Sequence, residues 1–370
     1  MNEDRATRYH RLGRRASLLS TAWTLALLLA AMLTGVSIAL RDWAAGLGAL
    51  RSQTAVVAIY VLALSLFLDL AALPFALYKG FVLEHRYGLA TETMGHWLKD
   101  YVKAAGIGLV FGEAGAVFVY YTLRRWPLTW WIVSGVGYTL VAIVLVNLAP
   151  VLLLPLFYRF RPLDKAALRD RLTALARKAN TTIKGVYEWT LSDRTKTANA
   201  ALTGIWHTRR ILLSDTLLAE YSDDEIEVIL AHELAHHVHR DIWSAVLLDA
   251  TLTFAGFYAV GRLLQVAVPY FGLRGAADPA GIPVLLIAAA ALGLVVKPLM
   301  NAISRAHERR ADNYALAMTR NPSAFISAMR RLGQQNLAEE NPSRLVQAFF
   351  YSHPPIKDRL RAAQLVAGRN

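Results

Sequence analysis

"ILAHELAHHVHRD", residues 229–241, carries four histidines and two acids just ahead of a long apolar run. His232 and His236 are four residues apart, so on a helix both imidazoles leave from one face, with Glu233 about 100° around from the first. That is the H-E-x-x-H arrangement. Two neutral imidazoles suit Zn²⁺, and the adjacent carboxylate can take a proton from water whose pKa the metal has lowered towards about 7. The same residues also fit a histidine-rich solvated helix face, so the assignment turns on a third ligand. His237 points about 100° away from His236 and is read as structural. His239 lies nearly on the His232/His236 face, one turn on, and is read as interfacial or at the site rim. A site closed by three or four helix-borne histidines would leave no position for the water that catalysis requires.

The surrounding chain is too apolar for one water-soluble core: 370 residues, 55% hydrophobic, with a mean hydropathy of +0.33. Apolar stretches at 17–40, 54–78, 104–123, 129–157, 242–268 and 282–300 are each long enough to cross about 30 Å of hydrocarbon as a helix. The first follows a basic stretch from Arg11 to Arg15 but is longer than a signal-peptide apolar region, so it is read as a retained span. Arg5, Arg8, Arg11, Arg14 and Arg15 precede it, and Lys79, Arg86, Lys99 and Lys103 follow span two. The alternate loops hold only Arg41 and Arg51, then Arg124 and Arg125, then Arg274. The positive-inside bias therefore puts both termini and the stretch 158–241 in the cytoplasm. Basic cytoplasmic faces beside anionic lipid account for the net charge of +13 without nucleic acid. With no cysteine, disulfides and thiolate metal sites are excluded.

Four segments follow: a membrane region of about four spans (1–157), a cytoplasmic segment (158–241), a membrane hairpin (242–300) and a cytoplasmic C-terminal segment (301–370). In the second, "LDKAALRDRLTALARKAN" from Leu163 has helical spacing, while "KGVYEWTLSD", "TKTANAALTG" and "RRILLSDTLL" read as short strands of a small mixed sheet. Ser222 or Asp223 caps the next helix, and from Glu225 to about Val268 only Gly256 and Gly261 interrupt the helical pattern.

The third ligand is sought where the hairpin returns, in "NAISRAHERRADNYAL" from Asn301. The chain enters the membrane near Asp241 and comes back near Lys297. His236 then lies about 8 Å before one boundary and Glu308 two or three turns past the other, at similar depth. Glu308 as third ligand, with Asp312 four residues on accepting a bond from a histidine, makes one geometry. "RAHERRAD" taken alone reads as a solvated charged helix with i to i+4 pairs.

"LPFALYKGFVLEHRYGLATETMGHWLKD" from Leu73, "APVLLLPLFYRFRPLD" from Ala149, "TANAALTGIWHTRRILLSDTLL" from Thr197, "SRAHERRAD" from Ser304 and "YSHPPIKDRL" from Tyr351 occur in that order around the H-E-x-x-H helix. On these segments the chain resembles the type I CAAX prenyl proteases, membrane-embedded zinc endopeptidases that cleave near the C-terminus of prenylated proteins. The resemblance runs from about residue 55 to about 362. It implies a mainly α, polytopic helical membrane protein with a gluzincin-type cytoplasmic protease domain containing a small β-sheet. It implies one Zn²⁺ per chain on His232, His236 and Glu308, with Glu233 as general base. It places His353 and Arg359 near the reacting peptide, helping to hold an oxyanion. Asn199 and Ala200 align with an edge strand on which substrate lies as an added strand. Ala201 stands where the family commonly has an aromatic residue.

Eukaryotic members have seven spans, whereas this sequence has room for one before "LPFALYKGFVLEHRYG". One crossing fewer agrees with a cytoplasmic N-terminus. Asp69, Glu113, Asn147 and Asp249 cost about 2.5 to 3.5 kcal/mol each at mid-bilayer and are expected to face a wet interior like the family's intramembrane chamber. The missing helix narrows that chamber, opens it sideways, or leaves it to a homo-oligomer to close. The function expected is metal-assisted hydrolysis of peptide or protein substrates at the bilayer, prenylated or, in a membrane quality-control role, not. The reading from another class is a non-catalytic transporter or scaffold, for which an intact Glu233 has no use.

Overall fold

The computed structural model describes residues 4–47, 52–204 and 209–368. Arg51 and residues 205–208 of the third quoted family segment lie outside them. Among the described residues six helices are long and apolar enough to cross a membrane. The first, α1 (Arg5–Leu33), begins earlier and ends sooner than the apolar run 17–40 suggests. Gly35, at φ +77°, breaks the helix, and α2 (Val36–Gly46) runs off as a separate element. Then come α3 (Gln53–Leu77), capped by the Ser52 hydroxyl and leading through a π turn at Tyr78–Val82 into α4 (Leu83–Arg86), α5 (Met94–Arg125), capped by Thr93, and α6 (Trp130–Leu152).

In lipid an apolar face gains nothing by meeting another apolar face, so small residues that admit close approach decide which helices pack. A Cβ on Gly135 would lie 2.6 Å from the Phe254 ring, and one on Gly261 2.8 Å from Trp130. These two glycines seat α6 against the fifth spanning helix. Outward residues such as Leu70, Val110, Leu247 and Val295 are left exposed, as a lipid-facing surface requires. Inside the spans, both carboxylate oxygens of Glu113 and the Oδ1 of Asn147 are buried without a hydrogen-bond partner.

The polar segment opens with β1 (Phe160–Pro162) and α7 (Ala166–Lys178), then β2 (Gly185–Trp189), β3 (Ala200–Thr203) and β4 (Arg210–Ser214). The sheet order is β1-β2-β4-β3, with β2 and β4 parallel and the outer pairs antiparallel, so β3 is an edge strand. Helix α8 (Asp215–Glu220) leads to α9 (Asp223–Val238), which starts on a complete capping box between Ser222 and Glu225.

Helix α9 is buried nearly all round in its middle, with Ile226, Val228, Leu230, Ala231, Leu234 and Ala235 in the core and His232 among them. It is the axis of the soluble core, packed against Leu172 of α7, Ile211 and Leu213 of β4, and Ala315 and Leu316 of a later helix. The expected uninterrupted helix through Val268 is not formed. His239 ends α9, Arg240 adopts a left-handed conformation at φ +57°, and α10 (Asp241–Tyr270) starts on a new axis. Neither Gly nor Pro marks that break in the sequence.

After α10 the chain returns as α11 (Ile282–Thr319), a single 38-residue helix carrying both the sixth span and the "SRAHERRAD" segment. Helices α12 (Pro322–Gln335), α13 (Arg344–Phe350) and α14 (Ile356–Ala367) close the soluble part; Phe325 and Met329 of α12 and Ala363 of α14 complete the core around α9.

Candidate metal centre

Helices α9 and α11 lie side by side, and their contact brings His232, His236 and Glu308 together. His232 Nε2 is 3.3 Å from His236 Nε2 and 3.2 Å from Glu308 Oε2, and His236 Nε2 is 3.4 Å from Glu308 Oε1. Two ligands at about 2.05 Å from one ion, set at the tetrahedral angle, stand about 3.3 Å apart. The imidazole pair matches that spacing, and each imidazole has one Glu308 oxygen at a similar distance, Oε2 for His232 and Oε1 for His236; one ligand atom from each residue lies within 4.8 Å of the others. Glu308 Oε2 is buried and faces only the His232 imidazole at 3.2 Å, so when that ring is neutral and turns a lone pair towards it, a cation between them would satisfy both. The donor set, two imidazoles and one carboxylate with no thiolate, leaves a fourth position of a tetrahedron to a non-protein ligand.

Each imidazole is oriented from behind by a carboxylate, and each carboxylate by an arginine. His232 Nδ1 is 2.9 Å from Asp312 Oδ1, and Arg359 grips Asp312 through Nε at 2.8 Å and Nη2 at 2.5 Å. His236 Nδ1 is 2.9 Å from Asp241 Oδ2, and Arg310 donates to Oδ1 of the same carboxylate. These bonds fix the tautomer that turns both Nε2 atoms towards the ion site. Burial pulls the His232 imidazole down, but its bonds to Asp312 and Glu308 outweigh that and raise it to about 9; His236 is raised on the same grounds by Glu308 and Asp241.

Glu233 makes no hydrogen bond to a described residue. Burial pushes its carboxyl up, against the pull of the two imidazoles. A carboxylate so placed is a better proton acceptor than one in water. His353, exposed on its turn before Pro354, reaches the cluster with Nε2 at 3.3 Å from Glu308 Oε1, while its Nδ1 pairs with the Ser352 hydroxyl at 2.9 Å.

Peptidase family M48 matches residues 162–367, more than half of the chain, and the N-terminal segment described as "CAAX prenyl protease N-terminal, five membrane helices" matches residues 2–159. The chain belongs to peptidase family M48. An uncharacterized metalloprotease of Bacillus subtilis, YhfN, is 31% identical over 337 residues, covering 90% of this chain and 78% of its own. CAAX prenyl protease 1 of Saccharomyces cerevisiae is 28% identical over 318 residues, covering 80% and 70%. The crystal structure of S. mikatae Ste24p superimposes with a TM-score of 0.87 at 25% identity, covering 97% of this chain and 88% of that one.

This M48 chain is therefore a membrane-embedded metalloendopeptidase resembling the CAAX prenyl proteases, and the polytopic helical fold with a small mixed sheet is the one expected. Where the family's N-terminal segment is described with five membrane helices, four candidate spans are found among the described residues before 160. His237 and His239 stand outside the metal-capable group. Burial and the Arg209 guanidinium lower His237 to about 4, and the His239 ring packs edge-on against Tyr314 at 5.6 Å between centroids. Arg359 does not stand free over the open side; two of its nitrogens are committed to Asp312, and its Nη2 also lies 3.4 Å from His232 Nδ1. Asn199 turns its backbone inwards to Ser214, whereas Ala200 opens β3 on the sheet edge.

Asp241 and Arg310 were not anticipated. On an uninterrupted helix a residue five places after His236 points about 140° away from it. The left-handed Arg240 folds Asp241 back beneath the imidazole. The only sequence signal was an acid shortly after the second histidine of the motif.

Proposed function

We propose that the chain is a zinc-dependent endopeptidase in which His232, His236 and Glu308 hold one Zn²⁺ and Glu233 is the general base. The observation that supports this most is the convergence of His232, His236 and Glu308, with ligand atoms within 4.8 Å of one another, beside a Glu233 carboxylate that bonds to no described residue. Bound there, Zn²⁺ supplies a Lewis acid for the scissile carbonyl and lowers the pKa of water to about 7. Glu233 takes the proton from the attacking water and passes it to the departing amine. Asp312 and Asp241 hold the imidazoles in register, and His353 lines the open side where the carbonyl oxygen gains charge, a position from which it donates a hydrogen bond.

An extended peptide lies along β3, bonded through its backbone, so side chains select little. The Lys and Arg bias of the loops supports a site, and both termini, on the cytoplasmic side. Substrates are peptides or proteins presented at the bilayer.

The test measures zinc content and cleavage of a quenched farnesylated peptide beside its unprenylated twin, for the wild type and Glu233→Gln. Equal zinc in both proteins, with cleavage by the wild type alone, is expected. A zinc-loaded wild type that cleaves neither peptide refutes the reading. Preference for the farnesylated peptide assigns a CAAX-type substrate, and equal rates assign a protease indifferent to prenylation.

A further inference from the structure

The exposed edge of β3 is not open along its whole length. In the chain leading into it, the Lys196 N–H donates to the Leu89 carbonyl at 2.8 Å and its carbonyl accepts from Gln335 Nε2 at 2.7 Å. Two residues on, the Ala198 N–H donates to Asn336 Oδ1 at 3.2 Å and the Ala198 carbonyl accepts from Asn336 Nδ2 at 3.4 Å. One side-chain amide thus meets both backbone groups of one residue, as a neighbouring strand would. An asparagine can do this because its amide carries a donor and an acceptor in one plane, the same pair a peptide unit offers.

The residues between face the other way. The Thr197 carbonyl accepts from the Thr216 hydroxyl, and Asn199 exchanges bonds with Ser214 through its N–H and its carbonyl. With Asn199 turned to β4, alternation turns Ala201 and Thr203 there too, opposite Leu212 and Arg210. Ala200 and Leu202 therefore direct their N–H and C=O to the edge away from β4, where no described residue bonds them. An unpaired edge is a template for an added strand, and here the template starts where Asn336 stops.

We propose that the Asn336 amide is an end stop on the substrate-binding edge: it occupies Ala198 as a surrogate strand and confines an extended peptide to pairing with Ala200 and Leu202. The inference rests on the peptidase reading of the site and deepens it, because a peptide held at two alternate positions and blocked at a third is limited in length on one side. Specificity would then come from how far a chain extends past the site, in line with pairing that ignores side chains.

The test uses the full-length protein in the Glu233→Gln background, a fluorescent extended peptide, and a series of that peptide N-methylated at one backbone nitrogen at a time. Methylation removes one donor, so binding by anisotropy should weaken about fivefold at two positions two residues apart. In Asn336→Leu a third position, two residues further on, should become sensitive, and a peptide extended on that side should bind several-fold more tightly. Identical scans with and without the Asn336→Leu substitution overturn the end stop. If Asn336→Leu does not fold, the scan on the protein that keeps Asn336 decides, since three evenly spaced sensitive positions also overturn it. Binding is read without hydrolysis, so a protein with intact Glu233 that fails to cleave peptides showing the expected scan refutes the peptidase reading and leaves the end stop. Cleavage with an unaltered scan does the reverse, and absence of binding by every peptide overturns both.

Discussion

Replacing each of the two carboxylates behind the imidazoles should separate metal binding from folding. Asp241→Ala removes the acceptor 2.9 Å from His236 Nδ1 and leaves Arg310, whose side chain is 45% exposed, to be solvated by water. Loss of such a partner typically costs 10–100-fold in metal affinity, about 1.4–2.7 kcal/mol. The metal-free protein should unfold at nearly its original temperature, because a half-exposed arginine loses little when its partner goes. Asp312→Ala removes an equivalent acceptor from His232, but Arg359 is only 9% exposed and makes both its carboxylate bonds to Asp312. An uncompensated buried guanidinium costs about 3–5 kcal/mol, so this variant should lose metal affinity and also melt earlier without metal. Zinc affinity is measured by competition with a chromophoric chelator in detergent, and stability by thermal unfolding of the stripped protein. Unchanged zinc affinity in Asp241→Ala would refute the claim that this carboxylate orients a ligand. Equal melting of both variants would refute the assignment of Arg359 as a buried charge that depends on Asp312.

The raised His232 fixes the sign of a pH effect. In the metal-free protein the imidazolium is the favoured form, so its contribution to stability is complete below about pH 6.5 and lost as pH climbs through about 9. Metal needs the neutral ring, so zinc uptake at pH 7 should release a proton from His232, apparent affinity should rise towards pH 9, and calorimetry in buffers of different ionisation enthalpy should show the release shrinking above it. Gly261→Ala should lower the unfolding temperature in detergent by overpacking, at a cost of about 1–3 kcal/mol, because the new Cβ would meet the Trp130 indole at 2.8 Å. An unchanged melting curve would mean that the contact between α6 and α10 yields without strain.

What the sequence disclosed followed from repetition. The spans declare themselves because each needs about 20 apolar residues whatever its neighbours do. The His232/His236 pair is legible because four residues return a side chain to the same helix face, and Glu308 because a hairpin must come back to the depth it left. Departures arose where a single backbone angle decides. Gly35 ends α1 inside an apolar run that hydropathy joins to 40, and Arg240, a residue with no special licence for positive φ, divides a helix whose periodicity is unbroken. The second of these hid Asp241. Asn336 was invisible for another reason: its amide acts on a strand 138 residues away, and no local pattern marks an asparagine as a strand substitute.

The arginines behind the site have a purpose that the ligand triangle alone does not reveal. Four carboxylates converge around the two imidazoles: Glu308, Glu233, Asp312 and Asp241. Against a divalent cation that set would leave an excess of negative charge in a largely buried place, where uncompensated charge is costly. Arg359 neutralises Asp312 and Arg310 neutralises Asp241. Of these four, Glu308 and Glu233 then remain without an arginine, and a divalent ion would balance their two negative charges. The same pairing holds the two aspartates on the imidazole Nδ1 atoms, away from the ion. Glu233 is left as the carboxylate with no hydrogen bond to a described residue, its acidity weakened by burial, which suits the proposed role of taking up a proton and giving it back. In the proposed mechanism the two roles, ligand orientation and proton transfer, are kept apart by which acids the arginines hold.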